Sequence, residues 1–137
     1  MVRADTDSER VVLQFFETLS TGDLEKLRPL LHEEATWAPQ VQGVPGEGVH
    51  RGKKGIIDEF LAPVRGLFVP GDPKVYPTSI ASKGPLVMIE TQGKGMLSDG
   101  RQYNNLYCWA VEVRDAKIFA IREYMDSLYI SKLFPAG

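Results

Sequence analysis

Cysteine is almost missing from this chain: Cys108 stands alone, which excludes an internal disulfide and a cysteine-built metal cluster. Histidine is nearly as scarce. His32 and His50 lie far apart and lack the spacing of paired metal ligands, so neither a metal nor another cofactor is expected. A surplus of one charge sign is absent too. Sixteen basic residues face 18 acidic ones, the net charge is −2, and no basic block exists. A nucleic-acid partner would have no electrostatic footprint to read. No apolar run approaches the length needed to cross a bilayer, and residues 1–5 have no apolar signal-peptide core. Internal repeats and low-complexity segments are also lacking. The expectation is a cytoplasmic protein with no nucleic-acid or membrane partner. Its 137 residues, 43% hydrophobic, suit one domain over residues 1–137 with one core.

The pattern that is present changes period once along the chain. Residues 8–19 are helical: Val11, Val12, Phe15, Phe16 and Leu19 recur at three- and four-residue spacing. Acidic Asp5, Asp7 and Glu9 lie near the positive helix start. Thr21 and Gly22 end that helix. Asp23 can cap a second one carrying Leu24, Leu27, Leu30 and Leu31, with Pro29 near its end and His32 at its C-terminal carbonyls. Residues 35–38 begin a short strand. Residues 42–52 form a glycine-rich loop, and residues 53–64 a third helix. Gly43, Gly46 and Gly48 do not make a phosphate loop; they read as a lid or turn.

Beyond residue 67 the pattern turns strand-like. Strands are expected over residues 75–82, 86–97, 102–114 and 117–125, then a short helix over 127–134 capped by Asp126. Helices first and an antiparallel meander second define an α+β fold, with the helices covering one face of a curved sheet.

Within the last hairpin two polar residues, Asn105 and Glu123, interrupt apolar stretches. A buried amide or carboxylate is costly unless paired or used. Asn105 shares strand parity with Tyr103, Tyr107 and Trp109, and Glu123 with Phe119 and Ile121. Facing an apolar cavity, Glu123 would have a raised pKa suited to proton transfer. Its bland alternative is an ion pair with Arg65 or Arg101. Asn105 and Tyr107 could donate to a substrate oxygen; alternatively they satisfy local backbone and core partners. Trp37, Trp109, Phe15 and Phe119 are candidate cavity walls, and His50 sits in a loop able to roof it. Cys108 reads as a small buried hydrophobe. Leu106, Cys108 and Ala110 form an opposite apolar face, which invites a second copy of the chain.

Several stretches carry a resemblance: Thr21-Gly22-Asp23-Leu24 between the first helices, His32-Glu33-Glu34-Ala35-Thr36-Trp37 into the first strand, and His50-Arg51-Gly52-Lys53 into the third helix. Val111 to Ile118 at the last hairpin and Arg122-Glu123-Tyr124-Met125-Asp126 at its end complete it. Together they resemble the cone-shaped nuclear transport factor 2-like, or SnoaL-like, superfamily. It includes ketosteroid isomerases, limonene-epoxide hydrolases and polyketide cyclases. The resemblance implies a cone-shaped antiparallel sheet under N-terminal helices, a homodimer, and a hydrophobic small molecule as substrate or ligand. Where these families usually place glycine in the last turn, this chain has Ala116.

Carried over residue by residue, the known activities mostly fail. The isomerase tyrosine falls on Phe15, its aspartate base near Pro39 and its second acid near Trp109. The epoxide-hydrolase Arg-x-Asp falls on Thr91-Gln92-Gly93, while its second aspartate falls on Glu123. What survives is one carboxylate with polar helpers. The resulting expectation is a cofactor-independent isomerase, cyclase or hydrolase, with Glu123, Asn105 and Tyr107 as catalytic residues. The alternative is a non-catalytic ligand-binding or dimerisation module of the same fold.

Overall fold

The computed structural model describes residues 2–135. Helix α1 (Asp7–Ser20) starts at Thr6, whose hydroxyl accepts from Glu9 N at 3.1 Å. That bond satisfies one of the helix's unpaired N–H groups. Val12, Phe15, Phe16 and Leu19 form its buried stripe, one turn apart.

The second helical segment is a 3₁₀ helix (Leu24–Leu30) rather than an α-helix, and Asp23 makes no side-chain cap. Pro29 lies inside it. Proline removes a backbone donor and obstructs the preceding turn, so the segment stays short and tight. His32 consequently does not end a helix. It stands on strand β1 (Leu31–Pro39), with Nε2 3.3 Å from an Asp115 carboxylate oxygen. Strand β2 (His50–Arg51) leads into a π-helix (Lys54–Leu61), continued by α2 (Ala62–Arg65). The junction shows the wide turn: Ala62 N–H reaches Ile57 O, five residues back.

Four long strands follow: β3 (Lys74–Lys83), β4 (Leu86–Met96), β5 (Gln102–Arg114) and β6 (Lys117–Met125). Helix α3 (Ser127–Leu133) is the last element, capped as expected by Asp126, which accepts from Tyr129 N.

The six strands make one curved, unclosed sheet in the order β2-β1-β6-β5-β4-β3. The expected meander β3 to β6 is antiparallel throughout. The sheet as a whole is mixed, because β1 joins β6 in parallel. A parallel neighbour needs a long crossover, and the loop, π-helix and four intervening strands supply it. The β5–β6 turn holds Asp115 at φ 54° and Ala116 at φ 58°. Two consecutive left-handed residues define a type I′ turn, whose twist matches the flanking strands.

Just beyond that turn the register shifts: Val113 faces Ile118, but Glu112 faces Ala120. The extra residue in β6 reverses side-chain parity. Ile118 therefore points into the core, fully buried, and Phe119 points outward. There Phe119 meets the His32 ring edge-on at 5.1 Å and lies under the Arg114 guanidinium at 3.6 Å.

The core lies between the sheet's inner face and the helices. Phe16 packs on Trp109 with ring centroids 4.8 Å apart, and Trp37 meets Phe60 of the π-helix at 5.4 Å. A smaller cluster of Phe68, Leu97, Tyr103 and Ile130 gathers beneath α3. On the outer face of the sheet Leu106 is 61% exposed, with Tyr124 and Met88 also open to solvent. Cys108 is half-buried there and Ala110 is shielded by its neighbours.

Candidate active site

A cavity of about 100 Å³ opens where the two apolar clusters meet. One water needs roughly 10–15 Å³ on this measure, so a small organic molecule fits. Strands β1, β5 and β6 supply Trp37, Tyr103, Tyr107, Trp109 and Glu123 to its wall. The loop after β1 adds Val41 and Val44, and α3 adds Ile130.

The loop is held down rather than loose. Gly46 has φ 87°, and a Cβ there would lie 2.6 Å from Phe60. Only glycine allows both the backbone shape and the close approach. His50 stacks on Phe60 with centroids 4.1 Å apart and donates from Nε2 to Gly46 O at 2.7 Å. His50 thus fastens the roof from behind and does not line the cavity. Phe15 is fully buried against Trp37, at 5.9 Å between centroids, and stays in the core. Phe119 faces away because of the β6 bulge. Three expected wall residues are therefore displaced from the wall, while Trp37 and Trp109 stand on it.

Glu123 lies between Pro39 on β1 and Trp109 on β5, its register partners on either side. Its Oε1 accepts from Trp37 Nε1 at 2.7 Å. Among the described residues its other oxygen has no hydrogen-bond partner and no cation pairs with it. Arg101 is bound to Asp99, and Arg65 donates to Pro73 O at 2.8 Å. Burial in these apolar surroundings raises the carboxyl to about 7 from an ordinary 4.5, with the Trp37 hydrogen bond pulling the other way. The charged form loses water and regains only one donor.

Tyr107 is the diagonal neighbour of Glu123: it faces Met125, two residues further along β6. Such diagonal Cα atoms lie on the order of 7–8 Å apart on one sheet face. The Tyr107 hydroxyl is hydrogen-bonded to the Tyr103 hydroxyl, which in turn accepts from Asn105 Nδ2 at 3.2 Å. The Asn105 Oδ1 accepts from Leu106 N at 2.9 Å, which fixes the amide's orientation. Both ends of Asn105 are therefore engaged, and its side chain stands behind the tyrosines rather than on the cavity wall. With Asn105 donating at one end, Tyr103 can pass its proton toward Tyr107, leaving the Tyr107 O–H free to donate into the cavity. Burial raises both phenols, Tyr103 to about 12 and Tyr107 well above its usual value. Both remain protonated donors at neutral pH.

One further wall residue, Gly93, and one residue behind the wall, Thr91, were not singled out in the sequence as cavity residues. Gly93 pairs with Asn105 across β4–β5, and a Cβ there would lie 2.9 Å from the Tyr107 ring. Its bare backbone makes room for the two tyrosines. Thr91 is buried and accepts from Trp109 Nε1 at 2.8 Å, which fixes that indole against the Tyr107 ring. Among the described residues no three His, Cys, Asp or Glu side chains converge as metal ligands would. No described helix is long and apolar enough to cross a membrane.

Known proteins match this arrangement by fold. TerC, crystallised with polyporic acid, superposes with a TM-score of 0.82 over 93% of this chain and 98% of its own, at 19% identity. An NTF2-like protein of unknown function from Burkholderia pseudomallei gives 0.83 over 96% and 99%, at 14% identity. An LEH-like epoxide hydrolase from M. tuberculosis gives 0.75 over 92% and 87%, at 20% identity. A comparison with curated proteins finds no significant match. The SnoaL-like domain model matches residues 12–121, from within α1 through the roof loop and the sheet as far as Ile121 on β6. The chain belongs to the SnoaL-like domain family.

Proposed function

We propose that the chain is a cofactor-independent enzyme that moves a proton on a hydrophobic small molecule held in the cavity. Glu123 is the acid/base and Tyr107 donates to the oxygen on which charge develops. Asn105 and Tyr103 are positioning residues that aim Tyr107. Trp37 and Trp109 form walls, and Trp37 also holds one Glu123 oxygen. The reaction class is isomerisation, cyclisation, dehydration or epoxide opening. The proposal includes a cytoplasmic homodimer.

The observation that carries this reading is Glu123 itself: a carboxyl on the cavity wall, free of any described cation, with a pKa raised to about 7. A group balanced there gives up and takes back protons at neutral pH. The separation from Tyr107 suits a substrate that spans the two. Glu123 removes a proton from carbon while Tyr107 stabilises the adjacent oxygen, and the proton is then returned. Two relatives of the same fold support a small-molecule role, one an epoxide hydrolase and one crystallised with polyporic acid.

The test is a ¹³C NMR titration of the Glu123 carboxyl. A midpoint near 7 is expected, and one near 4.5 rejects the mechanism. On a substrate, Glu123→Gln should lower turnover roughly a hundredfold or more.

A further inference from the structure

Arg65 ends α2 with its side chain on the cavity wall. Its Nη2 donates to Pro73 O. Among the described residues no carboxylate stands within 4 Å of it; the arginine ion pairs use Arg10, Arg28 and Arg101 instead. Glu123 is bonded to Trp37. Asp72, the acid whose charge reaches Arg65, uses Oδ2 to accept from Met96 N. A guanidinium has five N–H donors in a rigid fork; among the described residues Pro73 O is its acceptor, and its other nitrogens stay open to the cavity or solvent. The neighbouring wall is apolar, formed by Val64, Leu67, Phe68 and Val75. A half-buried cation in such surroundings has lost hydration that the protein returns only in part. Burial accordingly pulls the guanidinium below its ordinary value, against the opposing pull of the Asp72 charge.

We propose that Arg65 is a substrate-recognition residue that binds a carboxylate carried by an otherwise apolar ligand in this cavity. The planar fork matches a carboxylate through two parallel N–H···O bonds. The assignment rests on the reading of the cavity as the substrate site. It narrows the substrate class from hydrophobic molecules to hydrophobic carboxylic acids. It also gives the molecule one orientation, with the acid at Arg65 and the apolar body passing Tyr107 toward Glu123.

The experiment compares 2-naphthoate with its neutral isostere 2-naphthamide at pH 8. Binding is followed through the indole ¹H–¹⁵N signals of Trp37 and Trp109. The naphthoate should bind roughly ten- to a hundredfold more tightly, the scale of a charge-assisted hydrogen bond. Arg65→Met should abolish that preference, so that naphthoate and naphthamide bind alike, while Arg65→Lys should keep part of it. The wild-type comparison needs no variant to fold. Equal affinities, no binding of naphthoate, or a preference that survives in Arg65→Met overturns the assignment. The Glu123 titration is independent of this result. Equal affinities with Glu123 titrating near 7 sink only the Arg65 role. An Arg65-dependent preference with Glu123 near 4.5 sinks only the proton-transfer mechanism.

Discussion

Burial of Glu123 should make the protein less stable as pH rises from about 4.5 to about 7, and the size of the loss follows from the site. The folded carboxyl titrates at about 7, against an ordinary 4.5 that stands for the unfolded chain. The folded state therefore holds this proton more tightly. Its contribution is fully present below the unfolded pKa and is lost as pH rises through the folded one. Each pKa unit is worth about 1.4 kcal/mol, so the interval amounts to about 3 kcal/mol. Glu123→Gln removes the titration and keeps an oxygen to accept from Trp37 Nε1. Urea unfolding of both proteins from pH 4 to pH 9 isolates the effect, because every other titrating group is shared. The difference between the two stabilities should change by about 3 kcal/mol across that window, with the variant gaining on the parent as pH rises. Parallel curves from pH 4.5 to pH 7 would refute the reasoning. They would mean that water or an unseen rearrangement solvates the carboxylate at little cost.

Ala116→Gly should raise stability by up to about 1 kcal/mol, since Ala116 sits at φ 58° where an L side chain is strained; thermal melting reads the change. Tyr107→Phe deletes the hydroxyl at the cavity end of the Asn105–Tyr103–Tyr107 relay. It should lower turnover by roughly ten- to a thousandfold with little effect on melting, in assays on the substrate once identified. The open outer face of Leu106, Tyr124 and Met88 should hold a second copy, giving a dimer in sedimentation at micromolar concentration. Leu106→Lys should dissociate it, and a wild-type monomer would refute the interface.

Local chemistry was legible in the sequence wherever one residue dictates its own surroundings. The apolar stripe of α1 and the Asp126 cap follow from spacing and side-chain type, and both stand as expected. The β4, β5 and β6 strands follow from runs bounded by turn residues, and their ends fall within one residue of expectation. Glu123 was legible as a carboxylate out of place in an apolar strand, and Tyr107 and Trp109 by alternation along β5. Phe119 was misplaced because alternation assumes an unbroken pleat; the bulge opposite Glu112 and Val113 is a property of two strands paired together. Asn105 was rightly singled out as buried, but its partners lie on its own strand and occupy both ends of the amide.

The sequence by itself determined where the first helix and the long strands lie, which of their residues are apolar, and that the Glu123 carboxylate interrupts an apolar strand. These are short-range matters, decided by periodicity and turn chemistry. Only the tertiary structure decided that β1 lies parallel beside β6 and brings the Trp37 indole to Glu123, 86 positions away. Among the described residues it also left Arg65 without a carboxylate, and it set Gly93 against the Tyr107 ring. A desolvated carboxyl, a guanidinium bonded to a carbonyl rather than a carboxylate and a cavity all depend on what long-range packing places nearby and what it keeps away. One strand's pattern encodes where a side chain points; only the folded chain determines what it meets there.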